Sequence, residues 1–149
     1  MEALGAAIGY IHAGDCFQVN LAQRLLYSDR PPLEMLGRIA GKNPVPFACW
    51  LDWGQGQLIS ASPERFLRLD RGQVSTRPIK GTRPRGQDPA QDARLLADLV
   101  RSPKDRAENI MIVDLLRNDL GRSCVPGSIS VPTVCEVESF PTVHHMVSE

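Results

Sequence analysis

The order of local patterns along the chain is the sequence feature that most constrains its fold. Two hairpin patterns occupy residues 46–62 and 64–79, and two helical patterns follow at residues 89–101 and 103–122. Hairpins pair neighbouring strands antiparallel, and two successive helices interrupt any regular strand–helix alternation. We therefore predict an α+β fold with antiparallel strands and packed helices. The predicted turns are Gly54-Gln55-Gly56 and Arg71-Gly72.

The helix predicted at residues 103–122 has a clear start signal. Ser102 is a suitable N-cap, Pro103 occupies the first helical position, and Gly121 can end the helix. Apolar residues at helical spacing predict two further helices at residues 2–13 and 33–42. Alternation or apolar runs predict strands at residues 16–27, 128–138 and 140–149, whereas residues 78–89 are predicted to form a loop.

Composition limits the classes of function. The chain has 149 residues, of which 42% are hydrophobic and 23% charged, so it can form one domain with a core. Its 17 basic residues balance 17 acidic ones, which gives no overall electrostatic reason to expect nucleic acid or membrane as a partner. There is no signal-peptide pattern and no CxxC pair among Cys16, Cys49, Cys124 and Cys135. We expect a cytoplasmic location with reduced thiols.

The stretch STRPIKGTRPRG, residues 75–86, places one lysine among three arginines. Lys80 lies between Arg77 and the pair Arg83 and Arg85. An amine is a nucleophile only when it is neutral, and nearby cations and partial burial both disfavour an ammonium ion. One interpretation is an anion site in which Lys80 is the reactive amine. The other is a solvated basic loop.

Three further groups are candidates for chemistry, each beside a simpler structural interpretation. Glu64 follows a strand and could transfer a proton, or it could pair with a neighbouring arginine. Asp105 and Glu108 share a helix face and could bind Mg²⁺, or they could form a solvated acidic first turn. His144 and His145 alternate on a strand, so one of them is expected in the core and one exposed.

Five segments together resemble one enzyme family along nearly the whole chain. They are YIHAGDCFQVNLAQR, SPERF, PIKGT, DRAENIMIVDLLRNDLGR and VHHMVS, in that order. The chain thereby resembles the chorismate-utilising enzymes, most closely component I of the aminodeoxychorismate synthases, with anthranilate synthase component I as a near relative. This resemblance implies conversion of chorismate and ammonia into 4-amino-4-deoxychorismate in folate biosynthesis. It also implies a glutaminase subunit that supplies the ammonia.

The resemblance implies a role for several residues. Lys80 matches the lysine of PIKGT that attacks C2 of chorismate and expels the C4 hydroxyl, before ammonia enters at C4 and expels the lysine. Glu64 matches the general acid that protonates this hydroxyl, and His145 matches a histidine of the substrate pocket. Gln18 stands where water-using relatives have a lysine, which disfavours hydration. Anthranilate synthases have a segment resembling PIAGT where this chain has PIKGT. Lys80 therefore disfavours the alternative that the chain belongs to an anthranilate synthase.

The remaining implied roles concern the metal and the substrate loop. Glu108 matches a Mg²⁺ ligand, and Asp105 is a weaker candidate that would act through water. Gly81 and Thr82 match a loop that lets the backbone approach the substrate. Residues 43–47 resemble part of a tryptophan pocket in the family.

The resemblance also predicts how much of the domain is present. Residues 1–149 match the leading part of a chorismate-binding domain and lack its closing part, including a second metal-binding glutamate. We therefore expect the isolated fragment to be inactive and to expose apolar surface. A catalytically inactive chorismate-binding or structural remnant is a further alternative.

Overall fold

The computed structural model describes residues 2–25, 31–42 and 45–149, which divide into two compact units, Met1–Arg30 and Pro31–Glu149. The first unit contains helix α1 (Glu2–Ala13). The helices of the second unit are α2 (Pro32–Lys42), α3 (Pro89–Arg101) and α4 (Pro103–Gly121). Its strands are β1 (Phe47–Asp52), β2 (Gln57–Ser62), β3 (Arg65–Asp70), β4 (Gln73–Arg77), β5 (Ile79–Pro84), β6 (Glu136–Ser139) and β7 (Val143–Val147). This combination confirms the predicted α+β class.

In the first unit, the helix is as predicted and the strand is not. Gly14 ends α1 at a φ of 81°, and its N–H donates to the Ile11 carbonyl at 3.2 Å. The strand prediction for residues 16–27 is wrong for residues 16–25, which form no strand, and residues 26 and 27 lie outside the described residues. Phe17 and Leu21, the apolar side of the alternation, are both more than half exposed, so burial does not hold this segment as a strand.

Two hairpins follow α2 in the second unit, and both were predicted. Strands β1 and β2 pair antiparallel from Phe47 opposite Ser62 to Asp52 opposite Gln57. Strands β3 and β4 are joined by Arg71 and Gly72, whose φ angles are 50° and 79°. Two consecutive residues with positive φ are typical of a type I′ turn, which matches the twist of a hairpin.

A three-stranded sheet in the order β5-β7-β6 follows the hairpins. Strand β5 corrects the prediction of a loop at residues 78–89. It pairs antiparallel with β7, with Ile79 opposite Val147 and Thr82 opposite His145. Because β5 is at the edge of this sheet and Pro84 is its last residue, the proline interrupts no inner ladder.

Helices α3 and α4 form as their capping residues predict. Asp88 accepts a hydrogen bond from the Gln91 N–H at 2.8 Å, and Ser102 accepts one from the Asp105 N–H at 3.3 Å. Ser102 therefore closes α3 and starts α4, which holds the two helices in immediate succession. None of the helices in the described residues is both long and apolar enough to span a membrane.

The core of the second unit lies where β7 meets α3 and α4. Leu99 and Met146 are completely buried, and Cys135 and Val147 are almost so. Strands β6 and β7 are shorter than the segments 128–138 and 140–149 that were predicted. Only the last residues of the first segment pair, with β6 extending to Ser139, and only the central residues of the second segment pair. The central strand of the sheet, β7, thus carries much of the core on one face.

Candidate active site

Strand β5 carries the last four residues of PIKGT, and two of them, Ile79 and Thr82, lie opposite residues of β7. Thr82 Oγ1 lies 2.8 Å from His145 Nδ1, and the His145 ring packs at a tilt against Phe140 with 5.6 Å between ring centroids. Desolvation lowers the pKa of His145, and the negative charges of Glu138 and Glu64 oppose this effect. A half-buried imidazole with a lowered pKa is mostly neutral near pH 7, so its ring can accept or donate one proton.

Glu64 is fixed beside the same strand. It lies in the turn between β2 and β3, where the Ser62 hydroxyl accepts its backbone N–H at 3.2 Å. Its Oε1 accepts the backbone N–H of Ile79 at 2.9 Å, across fifteen positions of sequence. The carboxylate is thereby held at the residue immediately before Lys80, while the Glu64 side chain stays exposed.

Lys80 is half-buried on β5. Within the described parts of the chain, its ammonium group makes no hydrogen bond and no salt bridge. An amine without a carboxylate partner can approach a ligand without first breaking an ion pair. The nucleophilic role of Lys80 stays a prediction.

The three arginines of the segment do not form the open anion site that the sequence suggested. Each is paired with an acidic side chain of another element. The pairs are Arg77 with Glu138, Arg83 with Asp98 at 2.6 Å and with Asp105 at 3.1 Å, and Arg85 with Asp92 at 2.8 Å. Sequence reasoning missed these pairs because the acids lie between 7 and 61 positions away. The arginines therefore hold the strand in place rather than surround Lys80 with free charge.

The two candidate metal carboxylates differ in their surroundings. Asp105 is mostly buried, and its carboxylate accepts from Arg83. Hydrogen bonding with Ser102 and then with Arg83 lowers the pKa of Asp105. Glu108, one turn further along α4, has a side chain that is 44% exposed, and its only ion pair within the described residues is with Lys104 at 3.8 Å.

These surroundings decide how the residues fit a magnesium ion. Mg²⁺ takes oxygen ligands, usually one or two carboxylates completed by water and substrate. The exposed Glu108 carboxylate fits this requirement, because a long surface ion pair is easily exchanged. Asp105 fits less well as a direct ligand, since Arg83 already occupies its oxygen. Among residues 2–25, 31–42 and 45–149, no three His, Cys, Asp or Glu side chains cluster as a metal site.

Gly81 lets α4 approach the strand. Its φ is 91°, and a Cβ atom there would lie 2.8 Å from the Asp105 Cβ and 2.9 Å from a Leu99 methyl group. A side chain at this position would push the acidic turn of α4 away from Lys80. Gln18 lies in the first unit, where its amide donates to Asn20 at 3.3 Å. Its predicted role beside the substrate stays a prediction.

Asp92 and His144 are structural residues that sequence reasoning did not bring together. The Asp92 carboxylate accepts from Arg85, from the Gly86 N–H at 2.7 Å, and contacts His144 Nε2 at 3.0 Å. Arg85 is the main cause that lowers the pKa of Asp92, followed by Gly86. His144 is 1% exposed and its Nδ1 contacts Ser139 at 2.7 Å, so it is the expected core histidine and His145 the accessible one.

An apolar cavity of about 150 Å³ adjoins His145. Its lining residues are Val45, Pro46, Ala61, Pro63, Phe140, Val143 and His145. The resemblance to a tryptophan pocket concerned residues 43–47. Val45 and Pro46 do line a cavity, whereas Asn43 and Pro44 lie outside the described residues.

Comparison with known proteins identifies the class. The family described as chorismate binding enzyme matches residues 1–149, and the chain belongs to this family. It is 51% identical to aminodeoxychorismate synthase component 1 of Klebsiella aerogenes over 140 residues, which are 93% of this chain and 31% of the relative. The same component of Escherichia coli K12 is 51% identical over 141 residues, again 93% and 31% of the two chains.

A solved structure agrees with this assignment. Anthranilate synthase component I from Streptococcus pneumoniae TIGR4 superposes with a TM-score of 0.69 at 34% identity, over 81% of this chain and 26% of that one. The chain spans about a third of the length of the curated relatives it matches.

Proposed function

We propose that the protein containing residues 1–149 converts chorismate and ammonia into 4-amino-4-deoxychorismate. The observation that carries this proposal is the arrangement around β5. Glu64 is hydrogen-bonded to Ile79, Lys80 follows at once, and Thr82 contacts His145. The identity to aminodeoxychorismate synthase components supports it. Because those relatives are about three times longer, we treat residues 1–149 as an incomplete chorismate-binding domain.

In the proposed reaction Lys80 is the nucleophile. Its neutral amine forms a bond to C2 of chorismate, the C1–C2 and C5–C6 double bonds shift to C1–C6 and C4–C5, and the C4–O bond breaks so that the hydroxyl leaves. Glu64 donates the proton that lets this hydroxyl leave as water. Ammonia then forms a bond at C4, both double bonds shift back to C5–C6 and C1–C2, and the C2–N bond breaks to release the lysine amine. The Ile79 N–H holds Glu64 in place for proton transfer.

The other site residues bind and orient the substrate. His145, held by Thr82, forms part of the pocket wall, and the backbone at Gly81 can approach the ring closely. Gln18 carries an amide that cannot act as a base for water, which fits an ammonia-using enzyme. Glu108 would hold Mg²⁺, with Asp105 reaching it through water. When bound, the ion would neutralise the substrate carboxylate.

The same proposal includes a partner and a location. Ammonia at neutral pH is mostly protonated, so a glutaminase subunit that delivers it unprotonated is the expected partner. We place the reaction in folate biosynthesis and in the cytoplasm. The four cysteines are free thiols, which fits a reducing compartment.

Anthranilate synthesis is the second candidate, favoured by the superposition on an anthranilate synthase. In that reaction ammonia attacks the ring directly at C2 and no enzyme amine is needed. Lys80 on β5, which forms no ion pair within the described residues, disfavours it.

The test uses the longest natural chain that contains residues 1–149. With chorismate and Mg²⁺ but no ammonia, intact-protein mass spectrometry should show an adduct at Lys80. Lys80→Ala should lower the rate of aminodeoxychorismate formation by at least about 10³-fold, the scale for loss of a nucleophile. Lys80→Arg should not restore it, because a guanidinium stays protonated. Lys42→Ala, an exposed lysine on α2, is the control.

The outcomes separate the candidates. Full activity in Lys80→Arg would return Lys80 to the role of a simple cation. Anthranilate as the product of the unmodified protein would favour the second candidate. No reaction of chorismate in the unmodified protein would favour the inactive remnant.

A further inference from the structure

Asn109 is a fully buried polar residue within α4, immediately after Glu108. Its Nδ2 donates to the Met146 carbonyl at 3.3 Å, and its Oδ1 accepts from the Ser148 hydroxyl. The Cys135 thiol also approaches this oxygen at 3.7 Å. Both ends of the amide are therefore bonded to the segment that contains β7.

The bond between Asn109 and Met146 joins two residues that each lie next to a candidate site residue in the sequence. Asn109 follows Glu108, and Met146 follows His145. Successive residues of a helix point about 100° apart, so a fixed inward direction for Asn109 also fixes the direction of Glu108. The carbonyl that Asn109 holds belongs to Met146, the residue after His145. The Asn109 side-chain amide thus determines both the rotation of α4 about its axis and the position of α4 along β7.

Ser148 extends the connection. Its hydroxyl oxygen accepts the Cys135 N–H at 2.9 Å, and its own backbone N–H donates to the Pro78 carbonyl at 3.2 Å. Pro78 is the first residue of the PIKGT segment. The buried polar residues therefore connect α4, the end of β7 and the start of β5.

Burial alone does not explain an asparagine at this position. An apolar side chain would fit a core beside Leu99 and Met146 without the cost of removing an amide from water. The side-chain amide has another property that an apolar group lacks. Its bonds are satisfied in one rotation and one register of the helix, and any other leaves buried polar atoms unpaired.

We propose that Asn109 is a positioning residue that holds Glu108 of α4 in register with His145 of β7. The inference rests on the proposed function, because it takes Glu108 as a metal ligand and His145 as part of the substrate pocket. Asn109 itself touches neither the metal nor the substrate in this proposal.

The test uses Asn109→Leu in the longest natural chain that contains residues 1–149. Binding of Mn²⁺, used in place of Mg²⁺ with chorismate present, is followed by electron paramagnetic resonance. We expect the metal to bind at least about tenfold more weakly, the scale for residues that orient metal ligands. The Mg²⁺ concentration for half-maximal activity should rise by a similar factor.

The matched control is Ser139→Ala. It removes the part-buried 2.7 Å hydrogen bond between Ser139 of β6 and His144 of β7, and it leaves the hydrogen bonds of Asn109 in place. It should lower thermal stability and leave Mn²⁺ binding unchanged. Ser148→Ala is the second variant, in case Asn109→Leu does not fold. It releases Asn109 Oδ1 and should weaken Mn²⁺ binding in the same direction.

Equal Mn²⁺ binding by the Asn109 or Ser148 variant and the Ser139 control would overturn the inference and leave the proposed function intact. Absence of Mg²⁺-dependent turnover in the unmodified protein would instead overturn the proposed function.

Discussion

Two regions of the second unit differ in whether they bury their large apolar side chains. The helix-backed sheet, β5, β6 and β7 with α3 and α4, buries Leu99 and Met146 completely. The hairpin strands, β1 to β4, leave large apolar side chains exposed in the described residues. Phe66 and Leu69 are 76% and 77% exposed, and Trp53 beside β1 is 62% exposed.

The difference indicates where stability and chemistry reside. Most candidate site residues, among them Lys80, Thr82, Glu108 and His145, lie on the helix-backed sheet, which has its own core and its own ion pairs. Precise sites are best supported by such rigid elements. The hairpin strands contribute Glu64 from the turn between β2 and β3. Their exposed apolar surface is where we expect further contacts in a longer chain.

The largest expected contrast compares two leucines. Leu99→Ala should lower the free energy of unfolding by about 2–5 kcal/mol, since it leaves a cavity in a filled core. Leu69→Ala in β3 should change it by at most about 0.5 kcal/mol, because the side chain is already in water. Urea denaturation measures both. Equal losses for the two variants would show that the hairpin strands are covered in solution.

The second contrast compares two glycines with positive φ. Gly81→Ala combines backbone strain with a Cβ placed 2.8 Å from Asp105, so we expect a loss of about 2–4 kcal/mol. Gly72 in the β3–β4 turn has a φ of 79° and open space around it. Gly72→Ala should therefore cost only about 1–2 kcal/mol, the strain alone.

Thermal unfolding followed by circular dichroism distinguishes these glycine effects. A Gly81→Ala variant as stable as Gly72→Ala would mean that α4 does not press against β5 as described. In the longest natural chain that contains residues 1–149, Gly81→Ala should also lower turnover, because the added Cβ displaces Asp105 from the strand that carries Lys80.

The parts of the fold that depend on local chemistry could be predicted from the sequence. The Ser102 cap, the Gly14 stop and the Arg71-Gly72 turn each act within a few residues, and each forms as expected. Strand β5 could not be predicted, because two prolines and a glycine give residues 78–84 a loop-like composition. Its partner β7 lies about sixty positions away.

The candidate site shows the same limit. The family resemblance named Glu64, Lys80 and His145. In the structure Glu64 accepts a hydrogen bond from Ile79 of β5, and Thr82 of β5 contacts His145. Sequence alone gave no sign that the arginines near Lys80 are paired with distant acids. The clearest missed residue is Asn109, since a lone asparagine in a helical pattern carries no local signal.

The third contrast compares two aspartate–arginine pairs. The pKa of Asp92 is lowered by Arg85 first, so the unfolded chain binds more protons than the folded chain in acid. Its stabilisation is therefore complete above about pH 5 and is lost as the pH falls toward its folded pKa. Asp92→Asn should lower the urea midpoint at pH 7 and flatten its decline in acid. The Asp92→Asn variant should still lose some stability in acid, because the pKa of Asp105 is also lowered in the folded chain.

The control for Asp92 is Asp70→Asn, which breaks the exposed pair with Arg68 in β3. Both side chains are more than half exposed, so the change in stability should be at most about 1 kcal/mol. An acid profile of Asp92→Asn parallel to that of the unmodified chain would contradict the assignment.

The smallest expected effect concerns the exposed face of β3. Phe66→Lys removes a 76% exposed ring and adds a charge, so folding stability should change by at most about 0.5 kcal/mol. Residues 1–149 alone should nevertheless associate less, because exposed apolar strands promote contact between chains. Sedimentation velocity over a range of concentrations measures this.

Gln73→Lys, on the neighbouring strand β4, adds the same charge without removing apolar surface. An equal reduction by Gln73→Lys would assign the effect to charge. Residues 1–149 without substitution that stay monomeric at all concentrations would contradict the role of the exposed face. In a longer chain the sign should reverse, since Phe66→Lys would then place a charge in a covered contact and lower stability.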